Sequence, residues 1–73
     1  MLIGKITKGT RERLMVTLVE NGKGSKSIDC RIYNVLQEGE LSPTPAGVTV
    51  SPEQIDALVD LLREAEKKAK EKA

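Results

Sequence analysis

The stretch Lys26-Ser27-Ile28-Asp29-Cys30-Arg31-Ile32-Tyr33-Asn34-Val35-Leu36 decides the reading of this chain. Ile28, Cys30 and Ile32 alternate with Asp29, Arg31 and Tyr33. A period of two, rich in β-branched and aromatic residues, specifies a half-buried strand with one apolar and one polar face. Upstream, Arg13 to Glu20 repeats the pattern, with Leu14, Val16 and Leu18 on one face. Asn21-Gly22-Lys23-Gly24 lies between the two runs and carries the Asn-Gly pair favoured in hairpins, with room for a loop longer than two residues. Leu2 to Lys8 reads as further extended chain. Lys8-Gly9-Thr10 is either a turn or a bulge within one long bent strand.

Downstream, Gln37-Glu38-Gly39-Glu40 is a turn. Pro43 and Pro45 exclude a central strand over residues 41–46 and leave an edge or a loop. Gly47-Val48-Thr49-Val50 reads as a short strand. Ser51-Pro52-Glu53-Gln54 is then a helix start: a capping serine, a proline at the first helical position, and a glutamine three residues after the cap. The helix is expected from Pro52 to about Lys70. Glu53 and Asp56 sit near its positive end, and lysines near its negative end. Its apolar positions, Ile55, Leu58, Leu62, Ala65 and Ala69, are spaced three, four, three, four. Val59 and Leu61 widen the stripe.

The predicted class is thus α+β, a four-stranded antiparallel sheet followed by one C-terminal helix. A single domain is expected over residues 1–70, and residues 71–73 are expected to be the disordered end of a basic tail. A chain of 73 residues buries only ~60% of the surface its unfolded form exposes, so such folds usually need a disulfide, a metal or a partner. Cys30 is the lone cysteine and there is no histidine. That removes an internal disulfide and leaves almost no zinc ligand set. No cofactor is expected. A second copy of the chain is the remaining stabiliser, and the wide stripe of Ile55, Leu58, Val59 and Leu62 suits a partner helix or sheet. A lone cysteine and no secretory or membrane-spanning segment point to a reducing, cytoplasmic setting, nucleoid-associated if the chain is prokaryotic.

The net charge of +1 conceals a segregation. Residues 1–35 carry seven cations and three anions, a balance of +4; residues 36–66 carry one cation and seven anions, −6; residues 67–73 carry +3. A basic strand region beside an acidic helix offers phosphate one surface and repels it from another. The candidate contacts are Arg11, Arg13, Lys23, Lys26, Arg31 and Tyr33, with Lys5 and Lys8 extending the basic stripe. Arg11 and Arg13 share a face if their strand is regular. Arg31 either meets phosphate or a base, or pairs across the sheet with a carboxylate. Tyr33 either stacks on a base or packs at a dimer rim. Lys23 and Lys26 either clamp a backbone or are simply solvated. The lysine run 67–72 suits helix-dipole compensation and solubility.

Enzymatic chemistry is not expected. Glu38 and Glu40 flank Gly39 without a histidine, nucleophile or metal ligand set beside them. Gly22-Lys23-Gly24-Ser25 lacks the spacing and the following helix of a phosphate loop. No arginine-rich helix is present to enter a duplex groove.

The order Ile28-Asp29-Cys30-Arg31-Ile32-Tyr33, Glu38-Gly39-Glu40, Pro43, Gly47-Val48-Thr49-Val50 and Ser51-Pro52-Glu53-Gln54 resembles the positive cofactor four family of transcriptional coactivators, especially its short prokaryotic members. Ile3-Gly4-Lys5-Ile6 and Arg11-Glu12-Arg13-Leu14 are similar to that group as well. The resemblance implies a curved sheet plus helix. It also implies a homodimer whose two sheets present grooves to unpaired DNA strands, and a role in transcription or in protecting single strands; RNA and the transcription machinery stay open as further partners. Arg31 matches an arginine of the family. The family's aromatics are replaced here by Asn21-Gly22-Lys23-Gly24 and Asn34, and its basic segment by Ser42-Pro43-Thr44-Pro45-Ala46. Stacking contributes ~1–3 kcal/mol per base in such proteins. With Tyr33 as the sole aromatic, the expected binding is weaker and more salt-sensitive. The alternative from the residues is a dimeric protein–protein interaction module of the same fold. The nucleic-acid reading requires the cations to gather on an open face, free of acidic neighbours.

Overall fold

The computed structural model describes residues 1–71. Lys72 and Ala73, the end of the expected tail, lie outside the described residues. Four strands, β1 (Leu2–Gly9), β2 (Glu12–Glu20), β3 (Lys26–Val35) and β4 (Leu41–Val50), form one antiparallel sheet in the order β1-β2-β3-β4. A 3-10 turn at Pro52–Gln54 leads into α1 (Ile55–Lys70). The predicted class is therefore the observed one.

The connections follow from local chemistry. Thr10 and Arg11 form a turn between β1 and β2, which settles the ambiguity at Gly9 in favour of a turn. The β2–β3 loop spans Asn21–Ser25. The Asn21 N–H donates to the Ser25 carbonyl at 2.9 Å, and the Ser25 N–H to the Gly22 carbonyl at 3.0 Å. Gly22, Lys23 and Gly24 all have positive φ (82°, 51° and 79°), a left-handed run that glycine adopts without steric cost and lysine does not. At the helix start the Ser51 N–H donates to Gln54 Oε1 at 3.0 Å, as the serine–glutamine spacing predicts.

β4 differs from expectation. It is one strand from Leu41 to Val50, not a short strand preceded by a loop. As an edge strand it tolerates Pro43 and Pro45. The register shifts between Arg31↔Gly47 and Tyr33↔Pro43, so Thr44, Pro45 and Ala46 stand opposite Ile32 alone. Thr44 pins this bulge: its hydroxyl donates to the Ile32 carbonyl at 2.8 Å and accepts from the Ala46 N–H at 3.2 Å.

The register assigns two faces. Leu14, Val16, Leu18, Ile28, Cys30, Ile32 and Val48 share one; Lys5, Arg13, Met15, Asp29, Arg31 and Tyr33 share the other. The apolar face is poorly covered, with Ile6 61% and Val48 53% exposed. The helix does not layer onto it. Beyond the 3-10 turn that precedes it, α1 makes only incidental contact with other elements. Ile55 and Leu58 are half-buried, whereas Val59, Leu61 and Leu62 are exposed. Met15, on the polar face, is the sole buried hydrophobic among the described residues, at 6% exposure. Its cross-strand partners are Lys5 and Arg31, whose aliphatic stems suit covering it. No helix among the described residues is long and apolar enough to cross a membrane.

Candidate nucleic-acid interface

The polar sheet face brings together three of the six candidate residues. Arg13 on β2 stands directly opposite Tyr33 on β3, and Arg31 lies two residues before Tyr33 on the same face. Lys5 on β1 and Arg31 on β3 flank Met15 from either side. One Nη of Arg13 donates to the carbonyls of Gly9 and Glu12, both at 2.9 Å. These neutral acceptors orient the guanidinium and leave its charge uncompensated.

The other three candidates lie elsewhere. Arg11 is in the β1–β2 turn and does not share the face of Arg13, because the strand begins after it. Lys23 and Lys26 are at the opposite end of β2, separated from Arg11 by the strand's nine residues, roughly 30 Å. Lys26 pairs with Glu20, and its register places it on the face of Ile28, away from Arg31. Lys8 is drawn to Glu12 at 3.6 Å. Among the described residues, no ion pair involves Lys5, Arg11, Arg13, Lys23 or Lys26.

Arg31 is different. Its Nε donates to one Asp29 oxygen and its Nη2 to the other, each at 3.1 Å, while Nη1 donates to the Thr44 carbonyl at 2.9 Å. The carboxylate partner is thus two residues away on the same strand, not across the sheet. Asp29 also accepts from the Thr49 hydroxyl at 3.0 Å. The Arg31 hydrogen bonds hold the Asp29 carboxyl below its usual range; burial pushes the other way, and the Thr49 hydrogen bond and the Arg31 charge add to the lowering. The Asp29 hydrogen bonds and charge raise the Arg31 pKa in turn. Both groups are therefore ionised at neutral pH, and the fork-to-fork pair compensates the Arg31 charge. The requirement of cations free of acidic neighbours is met at Lys5 and Arg13 and not at Arg31.

Sequence reasoning missed three participants. Asp29 was on the right face, and its spacing from Arg31 was the available signal. Thr44 and Gly47 carry no such signal, because their roles depend on the β4 bulge.

No protein-family model matches the chain, and no curated protein matches it either. Solved structures do. The chain superimposes on a PC4 homolog from Burkholderia pseudomallei K96243, BPSL1147, with a TM-score of 0.83 and 23% identity, covering 90% of this chain and 88% of that one. A second crystal form of BPSL1147 gives a TM-score of 0.82 at 23% identity, covering 90% of this chain and 96% of that one. The fold is that of a PC4 homolog. At this identity the likeness establishes the shared architecture, four strands and a helix over nearly the whole chain, and it agrees with the resemblance read from the sequence. The PC4-like fold places Arg13, Arg31 and Tyr33 on one sheet face here. It does not by itself assign them a role.

Proposed function

We propose that this chain binds single-stranded nucleic acid as a homodimer and acts in transcription regulation without catalysing a reaction. The observation that carries the reading is the polar sheet face. Among the described residues Lys5 and Arg13 stand there without carboxylate partners, and Tyr33 lies directly across from Arg13. Unpaired cations attract the backbone phosphates, and an aromatic ring gives an unstacked base a platform. A duplex keeps its bases stacked inside and gains nothing from Tyr33, so single strands are preferred. The PC4-like fold supports the same reading, as does the resemblance to coactivators of that name.

The dimer is supported by what the isolated chain leaves open. An apolar sheet face and the Val59–Leu62 side of α1 are both uncovered, and among the described residues Met15 alone is buried. A soluble chain does not normally expose two such surfaces. A second copy would cover them and leave the polar faces outward. Action in the cytoplasm, at the nucleoid in a prokaryote, and contact with the transcription machinery belong to this reading.

Binding is expected to be modest and steeply salt-dependent, because one aromatic supplies the stacking and Asp29 compensates the central arginine. The test is a fluorescence-anisotropy titration of labelled oligo-dT against a duplex of equal length at two salt concentrations. Tighter binding to the single strand, falling as salt rises, is the expected result. No binding at low salt would overturn the reading. The compensated Arg31 would then favour a dimeric protein-interaction module, in which partner capture survives changing Arg31, Lys23 and Lys26 to alanine.

A further inference from the structure

Arg31 occupies an unusual position over β4. Its cross-strand partner is Gly47. A Cβ built on Gly47 would lie 3.0 Å from Arg31 Cζ and 3.0 Å from its Cα, and 2.7 Å from the Cys30 carbonyl oxygen. The nearest guanidinium atom is the central carbon, which a neighbour reaches through the face of the plane and not through its edge. The guanidinium therefore lies over the space a side chain at position 47 would fill. Its edges are meanwhile occupied: Nε and Nη2 by Asp29, Nη1 by the Thr44 carbonyl. The Arg31 side chain keeps 26% of its surface exposed; with the edges bonded and one face over Gly47, the opposite face of the guanidinium is what remains for a ligand.

Taken with the single-strand reading above, on which it rests, this geometry points to a division of labour: we propose that Arg31 serves the ligand as a flat stacking surface and not as a phosphate-binding cation, with Asp29 the positioning residue that consumes its charge. A guanidinium plane stacks on a nucleobase much as an aromatic ring does. A carboxylate bonded along its edge leaves that face free while removing the attraction for phosphate. Arg31 and Tyr33, two residues apart on one face, would then form a short platform. Lys5 and Arg13 on the neighbouring strands supply the uncompensated charge. In a chain with one aromatic residue, such an arginine makes up part of the missing stacking.

The experiment compares wild type, Asp29→Asn, and the charge-conserving double variant Asp29→Asn/Arg31→Gln. Each is titrated with oligo-dT across a salt series, and with an abasic phosphodiester oligomer of the same length. In Asp29→Asn the freed guanidinium reaches a phosphate, so the salt dependence for oligo-dT steepens by about 0.7 in log–log slope. In the double variant the slope stays at the wild-type value, while the preference for oligo-dT over the abasic oligomer falls at least about fivefold. A thermal melt establishes that each variant is folded, and should the double variant not fold, the slope of Asp29→Asn decides alone. An unchanged slope in Asp29→Asn, or an undiminished base preference in a folded double variant, overturns the proposal while leaving the single-strand reading intact. Failure of the wild type to bind oligo-dT at all removes both.

Discussion

Arg13 and Tyr33 face each other across β2 and β3, the cation held by the Gly9 and Glu12 carbonyls and the ring beside it on the same sheet face. Two terms of the proposed single-strand binding are thereby adjacent but separable. Changing Tyr33 to alanine should weaken oligo-dT binding by ~1–3 kcal/mol with little change in salt slope. Changing Arg13 to glutamine should flatten the slope by about 0.7. Anisotropy titrations across a salt series read both. Equal slopes in Arg13→Gln and wild type would place the phosphate contact elsewhere.

The Gly47 position makes a stability prediction independent of function. A methyl group there would lie 2.7 Å from the Cys30 carbonyl oxygen and 3.0 Å from the Arg31 Cα, so the backbone of β3 or β4 must shift. Overpacking of this kind typically costs about 1–3 kcal/mol. Urea unfolding of Gly47→Ala is expected to show a loss in that range, and unaltered stability would mean that the bulge relaxes freely.

The Asp29–Arg31 pair predicts a direction of pH dependence. The carboxyl of Asp29 titrates below the ordinary aspartate range when folded, so the native state binds its proton less readily than the unfolded chain. The stabilisation is present above the unfolded value and is lost as pH falls through the folded one. Arg31 stays charged throughout this range. Thermal melts between about pH 5 and pH 2 should therefore bring wild type and Asp29→Asn closer together as pH drops. A constant gap would show that the pair contributes nothing that depends on the Asp29 charge.

The proposed dimer would close through the exposed side of the helix. Sedimentation equilibrium at micromolar concentration should return twice the chain mass of 8.0 kDa. Changing Val59 and Leu62 to aspartate should yield a monomer or an unfolded chain, because each places a charge where a partner surface is expected. A folded wild-type monomer at that concentration would reject the dimer.

The features legible in the sequence are those whose causes are local. β3 announces itself through strict alternation from Ile28 to Tyr33, and the helix start through Ser51, Pro52 and Gln54. Asn21-Gly22 marks its loop for the same reason. Features set by neighbours remote in sequence were hidden. Met15 is buried on a face where its cross-strand neighbours are Lys5 and Arg31, whereas the alternation points to Leu14 and Val16 as the core. Pro43 and Pro45 forbid a central strand but not an edge strand pinned by Thr44. Of the candidate site, Arg13, Arg31 and Tyr33 do share a face. Arg11 fell away because a turn stood where a continuous strand was equally compatible with Gly9-Thr10. The compensation of Arg31 was within reach, since Asp29 is one pleat away.

Both borders of the sheet are irregular. β4 lacks two amide donors at its prolines and bulges at Thr44–Ala46, and β1 slips register near each end. A flat, regular border would recruit strands from other molecules and grow without limit. These borders disfavour such recruitment, so copies of the chain are steered toward meeting through their broad surfaces. The proposed two-fold dimer, in which the same surface of each copy meets its equivalent, would close at two subunits and not continue into a fibre.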